Sequence, residues 1–156
     1  MVITNTGELI GLNKKNKLPI KVRRTEDYGY GWVGCTQHWH KELMIFYIEK
    51  GTAVVHCNSQ SISVQAGDMI VINPNDVHYI KSSCSQLIKY YILVDLASLT
   101  SEEDICQKQY VVPLLENQIY FKHKVEHDSE FLQHVICLLR EYKQKQIGYE
   151  LLVKAE

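Results

Sequence analysis

Gly67-Asp68-Met69-Ile70-Val71-Ile72-Asn73-Pro74-Asn75-Asp76-Val77-His78 is the stretch on which the fold turns. Gly67-Asp68 is a turn signal, Met69 to Ile72 is a short β-forming run, and Asn73-Pro74-Asn75-Asp76 is a second tight turn that delivers His78 into a further run. Outward from it the same grammar repeats. Leu43 to Glu49, Thr52 to Cys57, Ser61 to Gln65, Val77 to Ile80 and Leu87 to Leu96 are rich in β-branched and aromatic residues, and Asn58-Ser59-Gln60 falls between two of them as a hairpin loop would. The expectation is an all-β region from Leu18 to about Phe121, with strands spaced closely enough for a barrel or sandwich. Beyond Asp128 the period becomes helical. Phe131, Leu132, Val135, Ile136, Leu138, Leu139 and Tyr142 fill one wide apolar face, and Asp128 or Ser129 stands where a cap belongs. A second helical segment runs from Tyr149 to Glu156 without a stop signal, which leads to the expectation that a longer natural protein continues past it.

The chain has 156 residues, enough for one domain with a real core. Residues 1–17 are polar and read as an arm, 18–125 as the barrel, and 126–156 as a helical segment. Lysine and arginine total 17 against 18 aspartates and glutamates, for a net charge of -1, and no basic face stands out. DNA binding by this chain alone is not expected. Five widely spaced cysteines form no CxxC pair, so they read as reduced thiols rather than a disulfide or zinc framework. With no apolar leader and no long apolar run, the expectation is a soluble cytoplasmic protein that makes no membrane contact.

The candidate chemistry lies in His38-Trp39-His40. Side chains two apart on an extended chain share a face, so both imidazoles project together, and His78 could reach them across a barrel. Three imidazoles can hold a metal or line a pocket for an organic molecule. The second reading is preferred, with no cofactor, because strand parity beyond His40 supplies Met44, a soft thioether, where a carboxylate ligand would serve. Met44 and Phe46 share a face and would wall such a pocket. Arg23, Arg24 and Trp32 offer the guanidinium and aromatic groups that hold a polar or anionic small molecule. No nucleophile elbow, phosphate-binding glycine loop or HExxH occurs.

Taken together, His38-Trp39-His40-Lys41-Glu42, Glu49-Lys50-Gly51 and the run from Gly67 to His78 resemble the cupin motifs, and more specifically the N-terminal ligand-binding domain of AraC-type bacterial transcription regulators. The resemblance covers roughly Leu18 to Glu156. It departs from the cupin pattern where Trp32 replaces a glycine, Met44 a glutamate ligand, and Ser82 an asparagine, while Asn75 takes an inner glycine position that needs left-handed backbone. The resemblance implies a mostly β, cupin-type jelly-roll barrel followed by C-terminal α-helices. It also implies a small effector, often a sugar, held by His38, His40 and His78 with Arg23, Arg24 and Trp32. The helices would pair two subunits through Phe131, Leu132, Val135, Leu138, Leu139 and Tyr142, and DNA would be read by a separate domain not contained in this chain. The rival reading is a small metal-dependent cupin enzyme, an isomerase or dioxygenase, built on the same three histidines.

Overall fold

A computed structural model describes residues 2–3, 9–10, 18–125 and 128–156. Within the expected arm, β1 (Val2–Ile3) pairs with β2 (Leu9–Ile10), and the rest of that call lies outside the described residues. The barrel is made of β3 (Ile20–Tyr28), β4 (Leu43–Lys50), β5 (Thr52–Cys57), β6 (Gln60–Gln65), β7 (Met69–Ile72), β8 (His78–Ser82), β9 (Gln86–Val94) and β10 (Lys124–Val125). These strands form two antiparallel sheets, one ordered β10-β7-β4-β9-β3 and the other β6-β5-β8. From β4 to β9 the chain passes repeatedly from one sheet to the other, so the strands wind a double-layered barrel whose inner faces meet. The mostly β architecture with trailing helices is therefore the one expected.

The turns explain the winding. Gly51 (φ 91°) and Gly67 (φ 93°) take left-handed backbone where the chain leaves β4 and β6, and Asn58 (φ 51°) and Asn75 (φ 68°) do the same with the side chain that best tolerates it. At Gly51 nothing larger fits, because a Cβ there would lie 2.4 Å from the Gln86 carbonyl oxygen. The β4 alternation then sorts the core. Met44, Phe46 and Ile48 point between the sheets and pack with Val55, Cys57, Ile70, Ile72 and Leu87. Fully burying each large member of such a core is worth roughly 1.5–3 kcal/mol.

Leu43, Ile45 and Tyr47 point to the other side of the same sheet, where a second core receives the helices. After two short helices, α1 (Leu96–Leu99) and α2 (Val112–Leu115), helix α3 (Ser129–Gln144) starts at Asp128, whose Oδ1 accepts from the Phe131 amide at 2.9 Å; it ends at Lys145 in left-handed backbone. Helix α4 (Tyr149–Ala155) follows. Val135, Leu138 and Val153 are buried against Ile20, Ile45, Met69, Val71, Ile92 and Val94, with Phe131, Leu132, Leu139 and Tyr142 packed around them. The six apolar residues expected on the helix face thus lie against the chain's own sheet, with Val135 and Leu138 buried and Phe131, Leu132, Leu139 and Tyr142 half-buried. A strand-covering layer and a subunit-pairing surface carry the same apolar periodicity, and only the packing separates them.

The β region expected from Leu18 to about Phe121 opens with the edge strand β3, nine residues long, whose run of charged and polar residues obscures the alternation; its far end departs from expectation. Between β9 and β10 the chain is helical rather than β, with α1 (Leu96–Leu99), a π-helical turn at Gln107–Val111 and α2 (Val112–Leu115). Pro113 sits in the first turn of α2, and Val111 and Leu114, three apart, are the residues buried there.

Candidate functional site

The turn at residues 73–76 assembles the histidines. The Asn75 amide donates to the His40 carbonyl at 2.8 Å, and His38 and His78 exchange backbone bonds at 3.2 and 2.8 Å, so the two chain segments are clamped side by side. All three imidazoles are buried, with ring centroids 4.5 Å (His38 to His78), 4.9 Å (His40 to His78) and 6.0 Å (His38 to His40) apart. Each Nδ1 lies against a nearby backbone carbonyl: Thr36 at 2.7 Å for His38, Glu42 at 2.9 Å for His40, Asp76 at 2.8 Å for His78. A carbonyl can only accept, so each Nδ1 carries a proton, and in a neutral His40 or His78 ring Nε2 is left as a bare lone pair. The Nε2 atoms of His40 and His78 are buried without any hydrogen-bond partner. Burial pushes the His40 imidazolium down to about 4 and that of His78 down to about 3, and each ring is further discouraged from charging by its neighbours. Both rings are neutral near pH 7.

Such a donor set fits the metal that the resemblance to the cupin motifs implies. Three imidazoles offer ligand atoms within 4.8 Å of one another, each Nδ1 is held by a backbone carbonyl, and the lone pairs of the neutral His40 and His78 rings have nothing else to bind. A divalent ion held by His38, His40 and His78 would supply Lewis acidity at the inner wall of the neighbouring pocket.

That pocket, about 390 Å³, is walled by one face of β3 (Lys21, Arg23, Thr25 and Asp27) and by Trp32, Gly34, Cys35, His38, Met44, Tyr91 and Leu93. His40 and His78, also expected to contact a ligand, are not among its lining residues. Trp32 folds back so closely over Gly34 that a Cβ at Gly34 would fall 2.1 Å from the indole, so the glycine is what lets the ring lie there. Of the residues expected to contact a ligand, Arg23, Trp32, His38 and Met44 line this pocket. Phe46 lies beneath it, 2% exposed, with its ring 5.1 Å from Tyr91 and 6.3 Å from His78. Arg24 faces away, because strand alternation turns it to the opposite side of β3, where it pairs with Glu49 at 2.6 Å and Glu26 at 3.7 Å.

The sequence reading missed a buried ion pair. Lys89 is 0% exposed, ion-paired with Asp27, and its ammonium lies 5.1 Å from the Trp32 ring and 5.2 Å from the Tyr91 ring. Burial pulls its pKa down, and the Asp27 carboxylate opposes that pull. The signal was present: Leu87, Lys89, Tyr91 and Leu93 alternate, so a lysine stands on the inward face of an apolar strand.

The profile of the family described as AraC-like ligand binding domain matches residues 22–156. The chain belongs to that family. An uncharacterized HTH-type transcriptional regulator of Bacillus subtilis (strain 168), YbfI, is 27% identical over 114 residues, which cover 69% of this chain and 38% of that protein. The chain thus spans well under half the length of this relative. Among solved structures, a cupin protein from Bacteroides fragilis has a TM-score of 0.49 at 18% identity, covering 63% of this chain and 92% of its own. A structure described as a predicted oxalate decarboxylase, from Thermotoga maritima, has a TM-score of 0.44 at 24% identity, covering 47% and 64% respectively.

Proposed function

We propose that this AraC-like domain is the effector-sensing part of a cytoplasmic bacterial transcription regulator, binding a small molecule in the barrel and transmitting its presence to a DNA-binding domain outside this chain. The observation that carries the reading is the pocket walled by Arg23, Trp32, His38 and Met44, open on one side of a barrel whose other sheet face is covered by α3 and α4. A ligand seated there touches the edge strand β3, whose neighbour β9 also packs under the helices. Sensing requires that the effector bind two arrangements of these elements with different affinity, since equal affinity shifts no population. Thermal-shift screening of the chain against sugars and small organic acids tests the reading: an effector held at a hundred times its Kd stabilises the fold by about 2.7 kcal/mol. A melting temperature that no compound moves counts against it.

Pairing of two copies belongs to the same proposal. With the expected helix face engaged on the barrel, the pairing surface is assigned to apolar side chains left outside: Ile136 (39% exposed), Leu151 (75%) and Leu152 (50%).

The unpartnered Nε2 atoms of His40 and His78 favour one second reading, a metal-dependent barrel enzyme whose chemistry needs a resident ion. Elemental analysis of purified chain separates the two. Near-stoichiometric zinc, nickel, manganese or iron, lost together with the associated rise in melting temperature in His78→Gln, supports the metal reading; a metal-free chain whose stability is indifferent to added ions sinks it.

A further inference from the structure

Resting on the effector-sensing reading, we propose that the effector is a small organic anion, its acidic group held between Lys21 and Arg23 and its body against Trp32 and Tyr91. The argument begins with alternation along β3. Lys21, Arg23, Thr25 and Asp27 occupy the face that lines the pocket, and Val22, Arg24 and Glu26 the other. On the outer face Arg24 is bound to two carboxylates. On the pocket face neither Lys21 nor Arg23 makes a hydrogen bond or an ion pair among the described residues. Two neighbouring arginines on one strand thus have opposite fates, and the one without an acidic partner faces the cavity.

Among the described residues, Asp27 is the only carboxylate lining the pocket, and it is already neutralised by Lys89. Lys89 is in turn enclosed by Trp32 and Tyr91, so its charge is matched before any ligand arrives. The charge left facing the cavity is therefore that of Lys21 and Arg23, both positive. A guanidinium and an ammonium are donors with no acceptor capacity. A neutral polyol can meet them only as an acceptor, whereas a carboxylate or phosphate meets the Arg23 fork with two parallel charge-assisted bonds and leaves an oxygen for Lys21. The aromatic and apolar residues Trp32, Tyr91, Met44 and Leu93 suit the carbon skeleton of such a molecule, and Thr25 offers a hydroxyl to a polar substituent. The volume of about 390 Å³ admits a compound of metabolite size and excludes a polymer.

Matched pairs of compounds test this on the intact chain by thermal shift and calorimetry: glucuronate with glucose, galacturonate with galactose, and glycerate with glycerol, plus glucose 6-phosphate to separate phosphate from carboxylate. The expected result is that at least one anion binds and its neutral counterpart binds at least about tenfold more weakly. Lys21→Gln/Arg23→Gln should lose at least about tenfold in affinity for that anion, and Arg24→Gln should keep it. Both variants change exposed or half-exposed side chains, and circular dichroism with the ligand-free melting temperature verifies their folding. An anion whose binding survives the double substitution overturns the assignment. A neutral sugar that binds wild type and the double variant equally overturns it too, while leaving effector sensing intact. A panel in which no compound of either kind binds counts against both.

Discussion

His40 and His78 show how a single atom can report on function. Their Nδ1 atoms are satisfied by the Glu42 and Asp76 carbonyls, yet their Nε2 atoms are buried with no partner, a state that a fold maintains at a cost of about 1–3 kcal/mol per group. The same burial makes the metal-free chain sensitive to acid. In the unfolded chain both imidazoles take up protons as the pH falls through about 6.5. In the folded chain they resist until about 4 for His40 and about 3 for His78. Between those limits the unfolded state binds more protons, so stability is full above pH 6.5 and declines as the pH falls. The decline approaches about 1.4 kcal/mol per pH unit for each histidine. Urea denaturation of EDTA-treated protein at pH 7.5, 6 and 5 should show this slope, and His78→Gln should be shallower. Stability that stays level from pH 7 to pH 5 would mean the rings are not held neutral by burial.

At the scale of elements, the corners and the edge strand do the positioning. Gly51 and Gly67 both need positive φ, but only Gly51 also lacks room for a Cβ. Gly67→Ala should therefore cost only the backbone strain, of order 1 kcal/mol, whereas Gly51→Ala should cost clearly more, because the added carbon presses on the Gln86 carbonyl and loosens the β4–β5 corner against β9. Equal midpoints of chemical denaturation for the two variants would contradict this. Much of the barrel was legible for the same local reasons. The strands Thr52–Cys57 and Met69–Ile72 have the limits read from the sequence, the 73–76 turn delivers His78, and Asn75 adopts the left-handed backbone inferred for it. What stayed hidden was non-local. That Lys89 meets Asp27 depends on the register of β3 against β9, in which Asp27 stands opposite Leu87 and Thr25 opposite Lys89, and no spacing along one strand encodes a pairing 62 residues apart. Which of two adjacent arginines would face the pocket was equally undecidable until β3 was known to be a strand.

For the whole molecule, the helices decide how sensing could reach beyond the barrel. Val135 and Leu138 anchor α3 to the outer face of the five-stranded sheet, and Leu138→Ala should destabilise the fold by about 2–5 kcal/mol through lost burial and the cavity left behind. Leu151 presents a different physical case: it is 75% exposed, so within one chain it contributes little to stability, and an acidic replacement should leave the melting temperature nearly unchanged. If two copies pair through this end of the molecule, the same replacement must bury a charge at the contact and separate them. Size-exclusion chromatography with light scattering should accordingly find a dimer for the wild-type chain at tens of micromolar and a monomer for Leu151→Glu, with matching circular dichroism. A wild-type monomer at that concentration would remove pairing by this chain, and a Leu151→Glu dimer would place the pairing surface elsewhere; either detaches α4 from any role in transmission. The Leu138 and Leu151 results together separate a helix that holds the barrel from a helix that holds a partner, a distinction that apolar periodicity alone could not make.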